Sequence, residues 1–154
     1  MIIVTFQQLQ QMKTHAQLTY PEECCGLLLG KVTSQGSILM EVRETENSWT
    51  DEIGEELFTQ TGSKQDRFYI APEVLFKVQK EVRDLNCSII GVYHSHPDHL
   101  AIPSKMDQEI AWPEYSYIII ALNSEKVTDI NCWKLDQDHQ FQSEIIILTE
   151  ISEQ

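Results

Sequence analysis

Basic residues are scarce in this chain: 11 lysines and arginines stand against 24 aspartates and glutamates, a net charge of −13 over 154 residues. That balance argues against a nucleic-acid partner, whose phosphates need Lys and Arg to neutralise them. It argues equally against docking on anionic membrane surfaces. Long apolar runs are missing too. Ile118-Ile119-Ile120-Ala121-Leu122 falls far short of the roughly 20 residues that a spanning helix needs. Met1-Ile2-Ile3-Val4 is too short for a signal core and has no basic leader. The four cysteines include no Cys-x-x-Cys, so neither a structural zinc ribbon nor a thioredoxin-type pair is indicated. All four read as reduced, mostly buried thiols of a cytoplasmic protein. No internal repeat or low-complexity linker interrupts the chain, and its length favours a single domain, residues 1–154, with one core.

What is present reads as alternating strands and helices. A strand over 1–4 runs into a helix after Thr5, where Thr5-x-x-Gln8 forms a capping box and Phe6, Leu9, Met12 and Ala16 make the buried stripe. Residues 23–32 and 37–44 read as strands joined by a turn at Ser34-Gln35-Gly36. The acidic stretch 44–66 reads as a solvated loop, with a flap near a cleft as the second reading, since long structureless loops are uncommon in compact domains. A helix over 73–85 carries Val74, Val78, Val82 and Leu85 at helical spacing, with Pro72 near its start. A buried strand over 88–93 follows, then a short helix over 105–111 ended by Pro113. Strands over 115–122, 127–135 and 141–149 close the chain. The pattern is α/β, with a curved mixed sheet and helices packed against it.

Chemistry concentrates after the buried strand. His94 and His96 are two apart, so on a strand they share a face. After seven intervening residues comes Ser104-Lys105-Met106-Asp107, with Asp107 in the first turn of the short helix. Two imidazoles and a carboxylate, with a fourth position left to water, form a ligand set typical of catalytic zinc. Taken alone, His-x-His is more often two polar residues at a strand end, and Ser-x-x-Asp matches a helix cap. The conjunction outweighs both, because capping explains neither histidine and a strand end explains neither Ser104 nor Asp107. Upstream, Glu22 and Glu23 open the apolar run Cys24-Cys25-Gly26-Leu27-Leu28-Leu29, where a carboxylate is costly unless solvated, paired or used. His99 reads as a solvated loop residue. Trp112 reads as a packing residue anchoring the short helix rather than as the lining of a substrate groove.

Glu-x-x-Gly-Leu, then His-x-His-Pro and Ser-x-x-Asp, resembles the JAMM (MPN+, JAB1/MPN/Mov34) family of zinc metalloproteases. Arg67-Phe68-Tyr69-Ile70-Ala71-Pro72 and Ala111-Trp112-Pro113 resemble its compact bacterial members. The resemblance implies a cytidine-deaminase-like JAB1/MPN architecture and one Zn2+ per chain, held by His94, His96 and Asp107. It implies Glu23, three residues before Gly26, as the catalytic acid–base, with Glu22 as the neighbouring alternative. Ser104 takes the oxyanion-stabilising place. Iron or cobalt would fit the same ligands.

The same resemblance implies hydrolysis of the amide bond after the C-terminal Gly-Gly of a ubiquitin-like protein, here a sulfur carrier. A deubiquitinase acting on lysine isopeptides is the alternative substrate reading. A non-catalytic MPN scaffold would be expected to have lost a ligand, and none is lost. A zinc nucleoside deaminase would need His-x-Glu and Pro-Cys-x-x-Cys, both absent. A DNA-repair-associated relative fits poorly with the acidic charge.

Overall fold

The apolar runs resolve into eight strands of one mixed sheet, in a computed structural model that describes residues 1–150. In chain order the elements are β1 (Ile2–Thr5), α1 (Phe6–Thr19), β2 (Cys25–Thr33), β3 (Gly36–Thr45), α2 (Asp51–Ile53) with a π-type turn Gly54–Phe58, and α3 (Pro72–Asp84). There follow β4 (Ser88–Pro97), α4 (Lys105–Ile110), β5 (Ser116–Asn123), β6 (Lys126–Leu135), β7 (Phe141–Glu144) and β8 (Ile146–Thr149). The strand order is β7-β6-β5-β4-β2-β3-β1-β8. The pairs β4–β5, β1–β3 and β1–β8 are parallel and the others antiparallel.

Helices cover the sheet from two sides. On one side Met12 and Ala16 of α1 join Leu28, Tyr93, Ile118 and Ile120 in a buried cluster. On the other, Val78 and Val82 of α3 close over Leu27, Leu29, Val92 and Tyr117. The central strands β2, β4 and β5 are therefore apolar on both faces, which is why they read as continuous hydrophobic runs rather than alternating ones. All four cysteines are unpaired. No helix of the described residues is long and apolar enough to cross a membrane.

Four details differ from the sequence reading. Phe6 is 53% exposed and Gln8 is buried in its place. The Gln8 side chain accepts from Thr5 N at 2.9 Å and donates to the Leu39 carbonyl at 3.1 Å, so the capping residue also ties α1 to β3. Leu85 lies beyond the end of α3 and is exposed. The expected strand 141–149 is two strands, broken at Ile145, that pair at opposite edges of the sheet. The sheet curls almost closed to allow this: Ile2 N donates to the Ile145 carbonyl at 2.9 Å, and the Met1 ammonium pairs with Glu144 at 3.3 Å. The uniform Ile-Ile-Ile-Leu run carries no alternation that marks the change of partner.

The 44–66 segment is not a solvated loop. Trp49 is only 2% exposed and stacks on Phe58, with ring centroids 5.8 Å apart. Thr50 caps α2 by accepting from Ile53 N at 3.2 Å. Buried Asn47 donates to the carbonyls of Glu23 (3.0 Å) and Arg67 (2.9 Å) and accepts from Trp49 N and Tyr69 N. The acids Asp51, Glu52, Glu55 and Glu56 remain at the surface, which hid this packing in the composition.

Candidate metal centre

Strand register brings the upstream acid to the histidines. Cys25 pairs with His94 in the antiparallel β2–β4 ladder, and Cys24 and Ser95 exchange hydrogen bonds (Cys24 N to Ser95 Oγ, 2.7 Å; Ser95 N to Cys24 O, 3.1 Å). One further step sets Glu23 opposite His96. Glu23 is buried at 5% exposure whereas Glu22 is at the surface, so burial separates the two candidate acids. The Glu23 carboxylate and the two imidazoles offer ligand atoms that all lie within 4.8 Å of one another.

The helix start supplies the third donor. Ser104 caps α4 by accepting from Asp107 N at 3.0 Å, and Asp107 Oδ2 accepts from Ser104 N at 2.9 Å. Capping and site geometry thus use the same atoms. Asp107 Oδ2 lies 3.2 Å from His94 Nε2 and 3.2 Å from His96 Nε2, and the two Nε2 atoms are 3.0 Å apart. His96 Nδ1 faces the Leu100 carbonyl at 2.8 Å and must carry the proton there, because a carbonyl only accepts. In the neutral ring, Nε2 then presents a lone pair to the cluster. His94 is held by stacking on Phe68 (4.5 Å between centroids), and its buried Nδ1 has no partner among the described residues.

This donor set fits a small divalent cation. N and O donors bound at about 2.0–2.1 Å around a tetrahedral ion are separated by about 3.3 Å, close to the triangle seen here. Lone pair against carboxylate at such distances is repulsive without a positive charge between them. The electrostatics agree. Burial lowers the His94 pKa, with the Asp107 carboxylate opposing. Burial works against the Asp107 carboxylate, but positive charge on the facing imidazoles and hydrogen bonds from them outweigh it in the metal-free protein and hold its pKa well below the usual range. Glu23 goes the other way. Burial, then the charges of Asp107 and Asp66, push its pKa well above the ordinary value, with Arg67 opposing.

The cluster divides a cleft in two. On one side an apolar groove of about 310 Å³ is floored by His94 and Asp107 and walled by Phe58, Phe68, Trp112 and Tyr115. On the other a cavity of about 600 Å³ has its polar groups from Glu23, Asp66, Arg67, His96, His99 and Ser104 and is completed by the apolar Leu100 and Ile102. Trp112, expected to pack under the short helix, is 68% exposed at the groove. His99 is exposed as expected, at the rim of the second cavity.

A family described as prokaryotic homologs of the JAB domain matches residues 7–136. The chain belongs to this family. Among solved structures, this JAB protein is similar to a Desulfitobacterium hafniense protein (28% identity, TM-score 0.80, 99% of this chain and 96% of that one). A Salinibacter ruber protein shares 27% identity with a TM-score of 0.69, over 97% and 92% of the two chains. A JAB1/MPN domain protein of Archaeoglobus fulgidus, 16% identical with a TM-score of 0.56 over 97% and 98%, shares the fold. A desampylase of Haloferax volcanii is 34% identical over 53 residues, which are 34% of this chain and 38% of that protein.

Sequence reasoning named the five polar residues brought together here but missed Asn47, which clamps Glu23 from behind. A lone asparagine in an acidic stretch carries no signal of burial. It missed the aromatic groove as well, whose walls come from segments far apart in sequence.

Proposed function

We propose that this JAB protein, residues 1–154 as one domain, is a zinc-dependent metallopeptidase. Its reaction is hydrolysis of the amide bond after the C-terminal Gly-Gly of a ubiquitin-like sulfur-carrier protein. The observation that carries the reading is the triangle of His94 Nε2, His96 Nε2 and Asp107 Oδ2, at 3.0–3.2 Å, beside buried Glu23. His94, His96 and Asp107 hold the metal. When bound, zinc supplies Lewis acidity, making water acidic near pH 7 and polarising a carbonyl.

The chain's own groups do the rest. Glu23, its pKa raised by burial, accepts the proton of the attacking water and passes it to the leaving nitrogen as the C–N bond breaks. The Ser104 hydroxyl accepts from Asp107 N, which leaves its proton free to donate to the carbonyl oxygen as charge develops there. The apolar groove takes the acyl side of the substrate and excludes water. Paired glycines suit close approach to His94 in the groove, since they bring no side chain. The similarity to a desampylase supports a small ubiquitin-like substrate.

The test is intact-mass analysis of a substrate panel incubated with zinc-loaded protein. Sulfur carriers extended beyond Gly-Gly should lose the extension, while lysine-linked diubiquitin stays whole. Cleavage of diubiquitin alone would replace this reading with a deubiquitinase.

A further inference from the structure

The Glu23 side of the cleft holds a cation to which the proposed chemistry assigns no contact with substrate. Arg67 lines the cavity beside Glu23 and Ser104. Its Nη1 donates to the neighbouring Asp66 carbonyl at 3.0 Å, and its Nε is buried without a hydrogen-bond partner among the described residues. Nor does Arg67 form an ion pair among them. Arg43, by contrast, is clamped between Glu41 (2.7 Å) and Glu81 (2.8 Å). Glu23 and Asp66 line the same cavity, yet neither carboxylate forms an ion pair or hydrogen bond with the guanidinium among the described residues.

Its position is built into the fold. Gly62 has φ +136°, and a Cβ there would come within 2.8 Å of Arg67 Cγ, so a glycine is needed for this side chain to lie where it does. Arg67 N donates to the Ser63 carbonyl at 2.8 Å. Asn47 bonds the carbonyls of Glu23 and Arg67 with one amide group, which holds the two backbone segments together at the same end of the cleft. The adjacent Asp66 carboxylate is engaged with Ser63 N at 2.8 Å.

We propose that Arg67 determines leaving-group specificity by binding a free carboxylate, so that the group released is a C-terminal amino acid or short peptide rather than a lysine of a folded protein. This rests on the hydrolase reading above. A proton passed from Glu23 reaches the leaving nitrogen only if that nitrogen lies on Glu23's side of the cluster, which is Arg67's side. There the α-carboxylate of the departing residue meets a planar guanidinium whose geometry matches it. A lysine side chain would bring no carboxylate to this place.

The test uses a carrier ending in Gly-Gly-Ala as the free acid and as the C-terminal amide, with zinc-loaded wild-type, Arg67→Gln and Arg67→Lys proteins. The acid should be cleaved with kcat/KM about tenfold above the amide, falling to roughly parity in Arg67→Gln and returning in part in Arg67→Lys. The acid-to-amide ratio separates this role from a general loss through Glu23, which would lower both substrates alike. An acid-to-amide ratio unchanged across the three proteins would overturn the proposal. Calorimetric titration of Glu23→Gln protein with the tripeptide Gly-Gly-Ala and its amide decides the point without turnover. About tenfold tighter binding of the acid, lost on adding Arg67→Gln, upholds it, and equal affinities overturn it even where neither carrier is cleaved. Absence of cleavage, by itself, counts against the hydrolase reading.

Discussion

The backbone N–H of Ser104 donates at 2.9 Å to Asp107 Oδ2, the same oxygen that stands 3.2 Å from both imidazole nitrogens. The start of α4 and the candidate metal site are thereby one construction: the helix cap aims the carboxylate, and the carboxylate anchors the helix. Asp107→Asn keeps an acceptor for the cap and loses the charge. Its zinc affinity should fall about 100-fold or more, and the metal-free protein should lose stability near neutral pH, where the Asp107 charge with its depressed pKa favours the folded state. Asp107→Ala should lose the metal and, in addition, about 1 kcal/mol of folding stability with the cap. Metal titration together with denaturant unfolding checks both, and zinc retention by either variant would remove Asp107 from the ligand set.

Glu23→Gln replaces a proton acceptor with an isosteric amide. Zinc binding should persist, and turnover of an extended carrier should drop by about 10²–10⁴. Metal content and rate are measured on the same sample. Wild-type turnover in the variant would move the acid–base role elsewhere.

Glu23 also carries a pH signature in the metal-free protein. Its pKa is raised in the folded state, so the folded chain binds more protons than the unfolded chain above the ordinary value near 4.5. Stability is therefore lost through this group as pH rises from about 4.5 through the raised pKa. Metal-free Glu23→Gln should melt above wild type at pH 7, with the two converging towards pH 4.5. Added zinc should shrink the gap, because a nearby cation favours the carboxylate. Parallel melting curves at all pH values would show that Glu23 is not strained by its burial.

Asn47, within the 44–66 segment, satisfies the carbonyls of Glu23 and Arg67 and the N–H groups of Trp49 and Tyr69. Asn47→Ala leaves them unpaired and should cost about 2–3 kcal/mol. Denaturant unfolding of the metal-free protein gives the value. A loss under about 0.5 kcal/mol would mean that water replaces the amide readily.

Much of the site was legible because local rules place it. Period two puts His94 and His96 on one face, the Ser104–Asp107 spacing is that of a cap, and a buried acid at a strand mouth calls for a partner. What stayed hidden depends on long-range pairing. The break at Ile145 follows from curling of the whole sheet, and Trp49 is buried by Phe58 from within a segment whose charges suggested solvent. Gln8 turned inward because a capping residue found a second partner in the Leu39 carbonyl, which no spacing reveals.

The central claim is best tested by incubating a sulfur carrier extended beyond Gly-Gly in ¹⁸O-water with three samples: zinc-loaded protein, chelator-stripped protein, and zinc-loaded Glu23→Gln. Intact mass reads out the result. The account predicts loss of the extension with one ¹⁸O in the new Gly carboxylate for the zinc-loaded wild type alone. An uncut carrier with zinc-loaded protein, or equal cleavage by the stripped sample, would contradict it.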